Sequence, residues 1–459
     1  MKEQKTEDAQ GRVMTRLLPW FMAKMPGAKN ISIENIQKPG MGLSNETYLF
    51  DLNWDEAGDR RFRPLVLRTA PQDHRVFPDY RLSHQFMIMK ALKGTPVPVP
   101  EMIWNEEDES ILGTPFYVME RLNGTMPKDY PSYHSTGMLF DASLDDRSRI
   151  WRDSVRMLAC VHDLDWKALG LDFLGVPSAG TGPLDRQIAY WERYLDWLKD
   201  SPDEEHPVIQ AGLAWLKEHA YEPERVSLCW GDARVGNILY REGDYRILAL
   251  LDWEMAFIGD PEADLAWFIF IDRYLAEEYR IPRLEGLPGK EETIRHYEEC
   301  AGRPVRHFEY QEVFAAVRFG MILVSVVKKL MRIGMHDYAH MLKNNYCVRY
   351  LSSFLGLPLP EVGNDRPPSS GDGRVTIQFC FSGLGGRERY IVEENGVVSI
   401  HDGRVEHPTC TVRATAQDWQ DLQDGRLNQL DAWTTGRLVI DGDLNTMVRL
   451  KDHIKRLAP

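Results

Sequence analysis

The sequence predicts an α+β protein of more than one domain, on three observations. Residues 30–120 read mainly as strands, residues 145–355 read mostly as helices around one strand-rich island, and a Pro/Gly/Ser-rich seam separates these from a last segment that returns to strands. At 459 residues the chain exceeds one ordinary domain, and 43% hydrophobic content suffices for buried cores.

The polar start MKEQKTEDAQGR belongs to an N-terminal helical segment expected over 1–29. In 30–122, ISIENI, ETYLFDL, RPLVLRT and TPFYVMER alternate or run apolar as strands do, while RLSHQFMIMKAL sets Leu82, Phe86 and Met89 at helix spacing. RIWRDSVRMLACVHDL and FAAVRFGMILVSVVKKLM make 123–356 chiefly helical. LPLPEVGNDRPPSSGDG loses all apolar periodicity, so a linker is expected over 357–369. From 370 to 459, RVTIQFCFSG, RYIVEENGVVSIHDG and PTCTVRATAQDWQDLQDG read as strand, hairpin turning at Asn395-Gly396, then strand into helix. Gly436 and Gly442 next bracket a short apolar strand, and a final amphipathic helix shows Met447 and Leu450.

Fifty-five basic against 69 acidic residues give a net charge of −14, which repels a polyanion, and no basic run offsets it, so no nucleic-acid partner is expected. Cysteines 160, 229, 300, 347, 380 and 410 form no CxxC pair and predict reduced thiols instead of a disulfide framework or zinc knuckle. Without a long apolar stretch, a soluble cytoplasmic protein with no membrane span is the expectation. The pattern fixes no oligomeric state.

The island holds the chemistry. NILYREGDYRILALLDW carries two apolar runs around Glu242-Gly243-Asp244, a tight hairpin that brings Asn237 and Asp252 together at its open end, with Asp232 just before it. A lone Asp232 and Asn237 could simply make and cap a turn. Asp252 ending an apolar strand adds a buried charge that needs a partner or a metal, and the three oxygen-bearing groups suit Mg²⁺. In KPGMGLSNETYLFDL, Gly40 and Gly42 before a strand either allow backbone N–H groups to approach phosphate or make an ordinary turn.

WGDARVGN followed by LLDWE resembles the catalytic loop and metal-binding aspartate of the aminoglycoside phosphotransferase and choline kinase-like family, with Trp230 in place of the usual histidine. The resemblance covers residues 30–350 and implies a bilobal protein-kinase-like fold that uses ATP and Mg²⁺. It implies that Asp232 accepts the proton of the attacking hydroxyl and that Asn237 and Asp252 hold Mg²⁺. It implies a phosphate-cradling loop of Gly40, Gly42, Ser44 and Asn45, with Arg68 at the position of a phosphate-binding lysine. Gln85 stands where a glutamate would pair that lysine, and would bond Arg68 or be a solvated helix residue. FYVMERLNG resembles the hinge, where the backbone of Glu120 and Leu122 would bond adenine and Met119 would line its pocket. The departure at Trp230 implies changed packing with chemistry retained, and Asp260 and Asp264 in IGDPEADLAWF are expected to be structural.

RIWRDSVRMLACVHDLDW and PLDRQIAYWERYLDW resemble the kinase-like domains joined to acyl-CoA dehydrogenases, some of which phosphorylate hydroxyacyl-CoA or hydroxy acids. His162 is expected to pack between helices. Tyr190, Trp191, Tyr194 and Trp197 would line an acceptor pocket or belong to the core. The last segment, above all GRLVIDGD, resembles the sterol-carrier-protein-like domain, which implies an apolar tunnel for sterol, fatty acid or acyl-CoA; a filled core serving as a docking module is the alternative. The expected function is ATP-dependent transfer to a hydroxyl of a small molecule, with a lipid or acyl-CoA as possible occupant of the C-terminal domain. A pseudokinase scaffold, a carrier and an aminoglycoside-type kinase are the other readings.

Overall fold

The structure, a computed structural model, describes residues 2–39, 45–71, 75–175, 182–332 and 336–360, then 374–383, 385–394, 397–406, 408–424, 426–427, 432, 437–442 and 450–454. Gly40, Gly42, Ser44, the Asn395-Gly396 turn, Gly436, Met447 and all but the first four residues of the expected linker lie outside the described residues. The chain divides into two compact units: residues 62–334 with 341–361, and residues 1–61 with 335–340 and 362–459.

Helix α1 (Lys2–Lys24) precedes β1 (Lys29–Gln37), β2 (Glu46–Glu56) and β3 (Asp59–Thr69). Helix α2 (Leu82–Leu92), β4 (Met102–Glu106) and β5 (Phe116–Glu120) follow, and the sheet order is β1-β2-β3-β5-β4. The alternation read in ETYLFDL is realised, with Tyr48, Phe50 and Leu52 all buried. In β3 Leu65, Val66 and Leu67 are all buried, as a strand covered on both faces requires. Strand β4 escaped the sequence reading. MIWNE follows TPVPVP, and all five residues are only half-buried, so no apolar face shows in its pattern.

The helical part runs through α3 (Met138–Asp141), α4 (Leu144–His162), α5 (Pro183–Leu198), α6 (Pro207–Glu218), α7 (Glu262–Glu277), α8 (Lys290–Ala301), α9 (Phe308–Arg332) and α10 (Tyr346–Leu355). Caps fix two of the starts: Ser143 accepts from the Asp146 N–H at 3.1 Å and Asn345 from the Val348 N–H at 3.1 Å. Helix α7 is buried nearly all round and α9 over most of its length, which makes them the centre of this part. Between α4 and α7 lie four short strands: β6 (Ser227–Cys229) pairs with β9 (Phe257–Gly259), and β7 (Ile238–Tyr240) with β8 (Ile247–Leu250).

The C-terminal sheet has the order β12-β11-β10-β13-β14, from β10 (Arg374–Ser382), β11 (Glu388–Glu394), β12 (Val397–Asp402), β13 (Cys410–Thr415) and β14 (Leu438–Gly442). The order expected from sequence is present, including β13 running straight into α11 (Ala416–Gln423), which Thr415 caps by accepting from the Asp418 N–H at 3.0 Å. Strands β10 and β13 are parallel, and α12 (Lys451–Ile454) contributes Ile454 to the core. Phe379, Phe381, Val412, Trp419 and Leu438 pack together in that core.

No described helix is long and apolar enough to cross a membrane, and Cys160, Cys229, Cys300, Cys347, Cys380 and Cys410 are all free thiols.

Two stability predictions follow from packing and from buried imidazoles. A Cβ on Gly212 of α6 would stand 2.6 Å from Val317 Cγ2 of α9. Replacing a helical glycine by alanine gains about 1 kcal/mol of propensity, but overpacking a core costs about 1–3 kcal/mol, so Gly212→Ala should be less stable in urea; a higher unfolding midpoint would contradict this packing. Burial holds His134, His162 and His206 below their ordinary 6.5. Below that value the unfolded chain binds more protons than the folded one, so stability is complete above it and declines as pH falls. The melting temperature should drop between about pH 7.5 and about pH 5.5, and drop less in His162→Gln; equal drops would contradict the role given to His162.

Candidate active site

The β7/β8 hairpin turns where the sequence reading put it. The Tyr245 N–H donates to the Arg241 carbonyl at 3.0 Å, and Ile238 stands opposite Leu250. At the open end the Leu251 N–H donates to the Asn237 carbonyl at 2.9 Å, which sets Asp252 beside Asn237 as expected. Asp252 adopts φ +61°, a left-handed conformation uncommon for a residue with a Cβ and concentrated at functional sites.

Asn237 Nδ2 donates to the Asp232 carboxylate at 2.6 Å and to the Asp232 carbonyl at 3.0 Å. That commits the amide nitrogen and leaves Oδ1 as the group able to take a cation. Arg68 of β3 reaches Asp252 through three contacts of 3.3 Å, longer than the roughly 2.7–2.9 Å of a tight charge-assisted bond. Burial would lower the Arg68 pKa, but the Asp252 charge, with Tyr117 and Glu254, outweighs it and holds the guanidinium above its usual range. The side chains of Asp252 and Arg68 are 21% and 11% exposed, so the pair is largely buried without being sealed from solvent.

Asp232 is held by three donors. Besides Asn237, Arg234 Nε donates to Oδ2 at 3.0 Å and the indole of Trp267, on α7, to Oδ1 at 2.9 Å. Arg234 also pairs with Asp129. Its pKa is raised: burial opposes this, and the charges of Asp129 and Asp232 prevail. Sequence reasoning missed Trp267, Arg234 and Asp129 as parts of the site. Arg234 lay inside the quoted motif, but nothing in the pattern tied it to Asp129 more than a hundred residues away.

The loop that carries Asp232 is fixed from below. Asp264 accepts from the N–H of Trp230 at 2.5 Å and of Gly231 at 2.9 Å, and His162 Nε2 lies 3.1 Å from the same carboxylate. Because a carboxylate only accepts, His162 carries its proton on Nε2 and takes the Tyr297 hydroxyl on Nδ1 at 2.7 Å. His162, Cys229 and Asp264 offer ligand atoms within 4.8 Å of one another, but the His162 and Asp264 atoms are engaged in these bonds. Burial pushes the Cys229 thiol well up, and it donates to the Asp260 carbonyl at 3.3 Å, so the cluster is a hydrogen-bond network. Gly231 has φ +89°, and a Cβ there would stand 2.0 Å from the Met255 carbonyl oxygen; only glycine fits. Trp230 donates through Nε1 to the Leu251 carbonyl at 2.9 Å and so ties the Asp232 loop to the Asp252 turn. Arg318 of α9 donates to the Gly231 carbonyl at 2.8 Å; burial lowers its pKa to about 10, against the pull of Asp264 and Asp232.

Neither reading of Gln85 holds. It is 2% exposed, so it is not solvated, and its oxygen accepts from the Tyr117 hydroxyl at 3.2 Å, while Arg68 turns to Asp252. Tyr117 stands opposite Arg68 in the β3/β5 ladder. At the hinge Met119 is buried, and the Glu120 N–H donates to the Glu101 carbonyl at 2.9 Å, which leaves only the Glu120 carbonyl for a base. Leu122 follows β5 and is half-buried. Asn45 is buried just before β2, and Gly40, Gly42 and Ser44 lie outside the described residues. Trp191 and Tyr194 are buried, whereas Trp197 is 40% exposed.

The model of the phosphotransferase enzyme family (APH) matches residues 35–301, and that of the SCP-2 sterol transfer family matches residues 373–455. Over 299 residues the chain is 31% identical to acyl-CoA dehydrogenase family member 10 of Mus musculus, covering 63% of this chain and 26% of that one. Over 282 residues it is 28% identical to acyl-CoA dehydrogenase family member 11 of Homo sapiens, covering 60% and 34%. The chain thus spans a quarter to a third of the length of these relatives. A crystal structure from Ralstonia eutropha jmp134, of a protein assigned to aminoglycoside phosphotransferase, superposes with a TM-score of 0.55 at 25% identity, covering 74% of this chain and 95% of that one. With more than half its length matched, the chain belongs to the phosphotransferase enzyme family, in a protein-kinase-like fold followed by an SCP2 domain.

Proposed function

We propose that the chain transfers the γ-phosphoryl group of ATP to a hydroxyl of a small molecule, a hydroxy acid or hydroxyacyl-CoA being the acceptor class. The observation that carries this reading is the convergence of Asp232, Asn237 and Asp252 at the open end of one hairpin, with Arg68 facing Asp252. Asp232 receives the proton as the acceptor oxygen bonds to phosphorus and the bond to ADP breaks. Its three donors keep the carboxylate oriented. Arg68 offers a planar, permanently charged fork to the phosphates, and the phosphate-cradling role of Gly40, Gly42, Ser44 and Asn45 that the resemblance implies belongs to the same proposal.

The donor set fits Mg²⁺. Asn237 Oδ1 and the Asp252 carboxylate are hard oxygen ligands, and the commitment of Asn237 Nδ2 to Asp232 fixes which amide atom is offered. When bound, the ion would neutralise phosphate charge. Met119 would line the adenine pocket, and the Glu120 carbonyl and Leu122 backbone would bond the base. Phosphoryl transfer depends chiefly on positioning and electrostatics, so the replacement of a histidine by Trp230 is compatible with activity.

The relatives' names bring acyl-CoA into view, and the SCP2 match brings lipid. We read residues 370–459 as a separate domain that holds a lipid or acyl-CoA, joined to the kinase part (30–122 and 123–356) by the linker 357–369.

Asp252→Ala should lower Mg²⁺-ATP-dependent turnover by about 10²-fold or more, read as ADP release with a panel of hydroxy acids and hydroxyacyl-CoA; unchanged turnover would remove the assignment. Native mass spectrometry of the purified full-length chain should find fatty acid, sterol or acyl-CoA retained. A protein that carries none and binds none on titration would leave the C-terminal domain as a docking module.

A further inference from the structure

Arg318 is 1% exposed, deep in the helical part. One of its nitrogens, Nη2, donates to the Gly231 carbonyl, and its guanidinium lies 4.5 Å from the Trp267 ring centre, 5.0 Å from Phe314 and 5.5 Å from Trp191. Neither Nε nor Nη1 has an acceptor among the described residues. The indole Nε1 of Trp191, itself 3% exposed, lacks one as well. Buried donors are normally matched, and an unmatched charged donor is the costlier case. The aromatic faces attract the cation, but they accept no hydrogen bond in the plane of the guanidinium.

The nearby carboxylates do not meet the demand. Asp264 has both oxygens on the N–H groups of Trp230 and Gly231 with His162 alongside, and Asp232 has both on Asn237, Arg234 and Trp267. The box is also close to the chemistry. The Trp267 ring that lies against Arg318 is the one whose Nε1 donates to Asp232. Tyr190, packed edge-on against Trp191 at 5.2 Å and only half-buried, is the member of this group nearest to solvent.

We propose that Arg318 and Trp191 form an oxyanion subsite for the acceptor, so that the phosphorylated molecule carries a carboxylate or phosphate group within a short chain of its reacting hydroxyl. The guanidinium nitrogens Nε and Nη1 and the indole Nε1 lack acceptors among the described residues where the guanidinium lies 5.5 Å from the Trp191 ring centre, and one oxyanion has lone pairs enough for several such donors. The same charge disfavours a polycationic acceptor such as an aminoglycoside. This specificity role rests on the kinase reading, but binding of the anion can be measured without turnover.

The test uses full-length protein with sodium acetate and inorganic phosphate as probes, read by thermal shift on wild type, Arg318→Met, Arg318→Lys and Trp191→Phe. A saturable rise in melting temperature is expected for wild type, with acetate the better probe if the acceptor bears a carboxylate and phosphate if it bears a phosphate. The rise should vanish in Arg318→Met and weaken in Trp191→Phe, which keeps the ring and loses one donor. In turnover, wild type should prefer hydroxy carboxylates over the amides of the same acids, or hydroxyalkyl phosphates over the matching diols. That preference should fall about tenfold or more in Arg318→Met and be partly restored in Arg318→Lys. If Arg318→Met does not fold, Trp191→Phe decides by the same readouts. Equal anion effects in wild type and variants, or no saturable effect at all, would overturn the proposal. Anion binding that depends on Arg318, with no phosphate transfer to any hydroxyl acceptor, would leave the subsite standing and remove the kinase reading instead.

Discussion

The site depends on the grip of one buried carboxylate on two backbone N–H groups. A loop that passes through a protein interior must find partners for its peptide groups, and the Trp230–Gly231 turn finds them in Asp264, which lies in the first turn of α7 and is itself braced by His162 and Tyr297. With those N–H groups fixed and the Gly231 carbonyl taken by Arg318, the backbone can reverse through a left-handed glycine and present Asp232. Trp230 then carries the constraint to the Leu251 carbonyl, so the two acid-bearing turns do not move independently.

Seen this way, three departures from the family pattern fall into place. Trp230 in the histidine position still supplies a buried N–H donor. Arg68 in the lysine position keeps the charge but faces Asp252 with a fork, and it needs no glutamate from α2 to hold it. Gln85 is accordingly released to Tyr117, a neutral bond in a buried place where an unpaired carboxylate would be expensive. Arg68 of β3 pairs with the Asp252 turn, and Gln85 of α2 bonds Tyr117 of β5.

The fold was largely legible from the sequence because its signals are local. Alternation in ETYLFDL, the Glu242-Gly243-Asp244 turn and the strand-into-helix run at Thr415 each depend on a few adjacent residues. Strand β4 was hidden because a half-buried edge strand shows no apolar face. The meeting of Asn237 with Asp232 and with the turn before Asp252 was readable because one hairpin delivers them. Asp129, Trp267 and Arg318 were not, because tertiary packing brings them from separate elements and no spacing encodes it. The partner of Gln85 was not legible either, because Tyr117 reaches it from another strand while Arg68 pairs with Asp252.

Transfer of labelled γ-phosphate from ATP to a hydroxy acid by the full-length protein, compared with Asp232→Asn, addresses the central claim most directly. Wild type is expected to transfer label in a Mg²⁺-dependent way, and Asp232→Asn to bind ATP normally while transferring label about 10²-fold or more slowly. Transfer at the wild-type rate by Asp232→Asn would contradict the assignment of Asp232 as the proton acceptor.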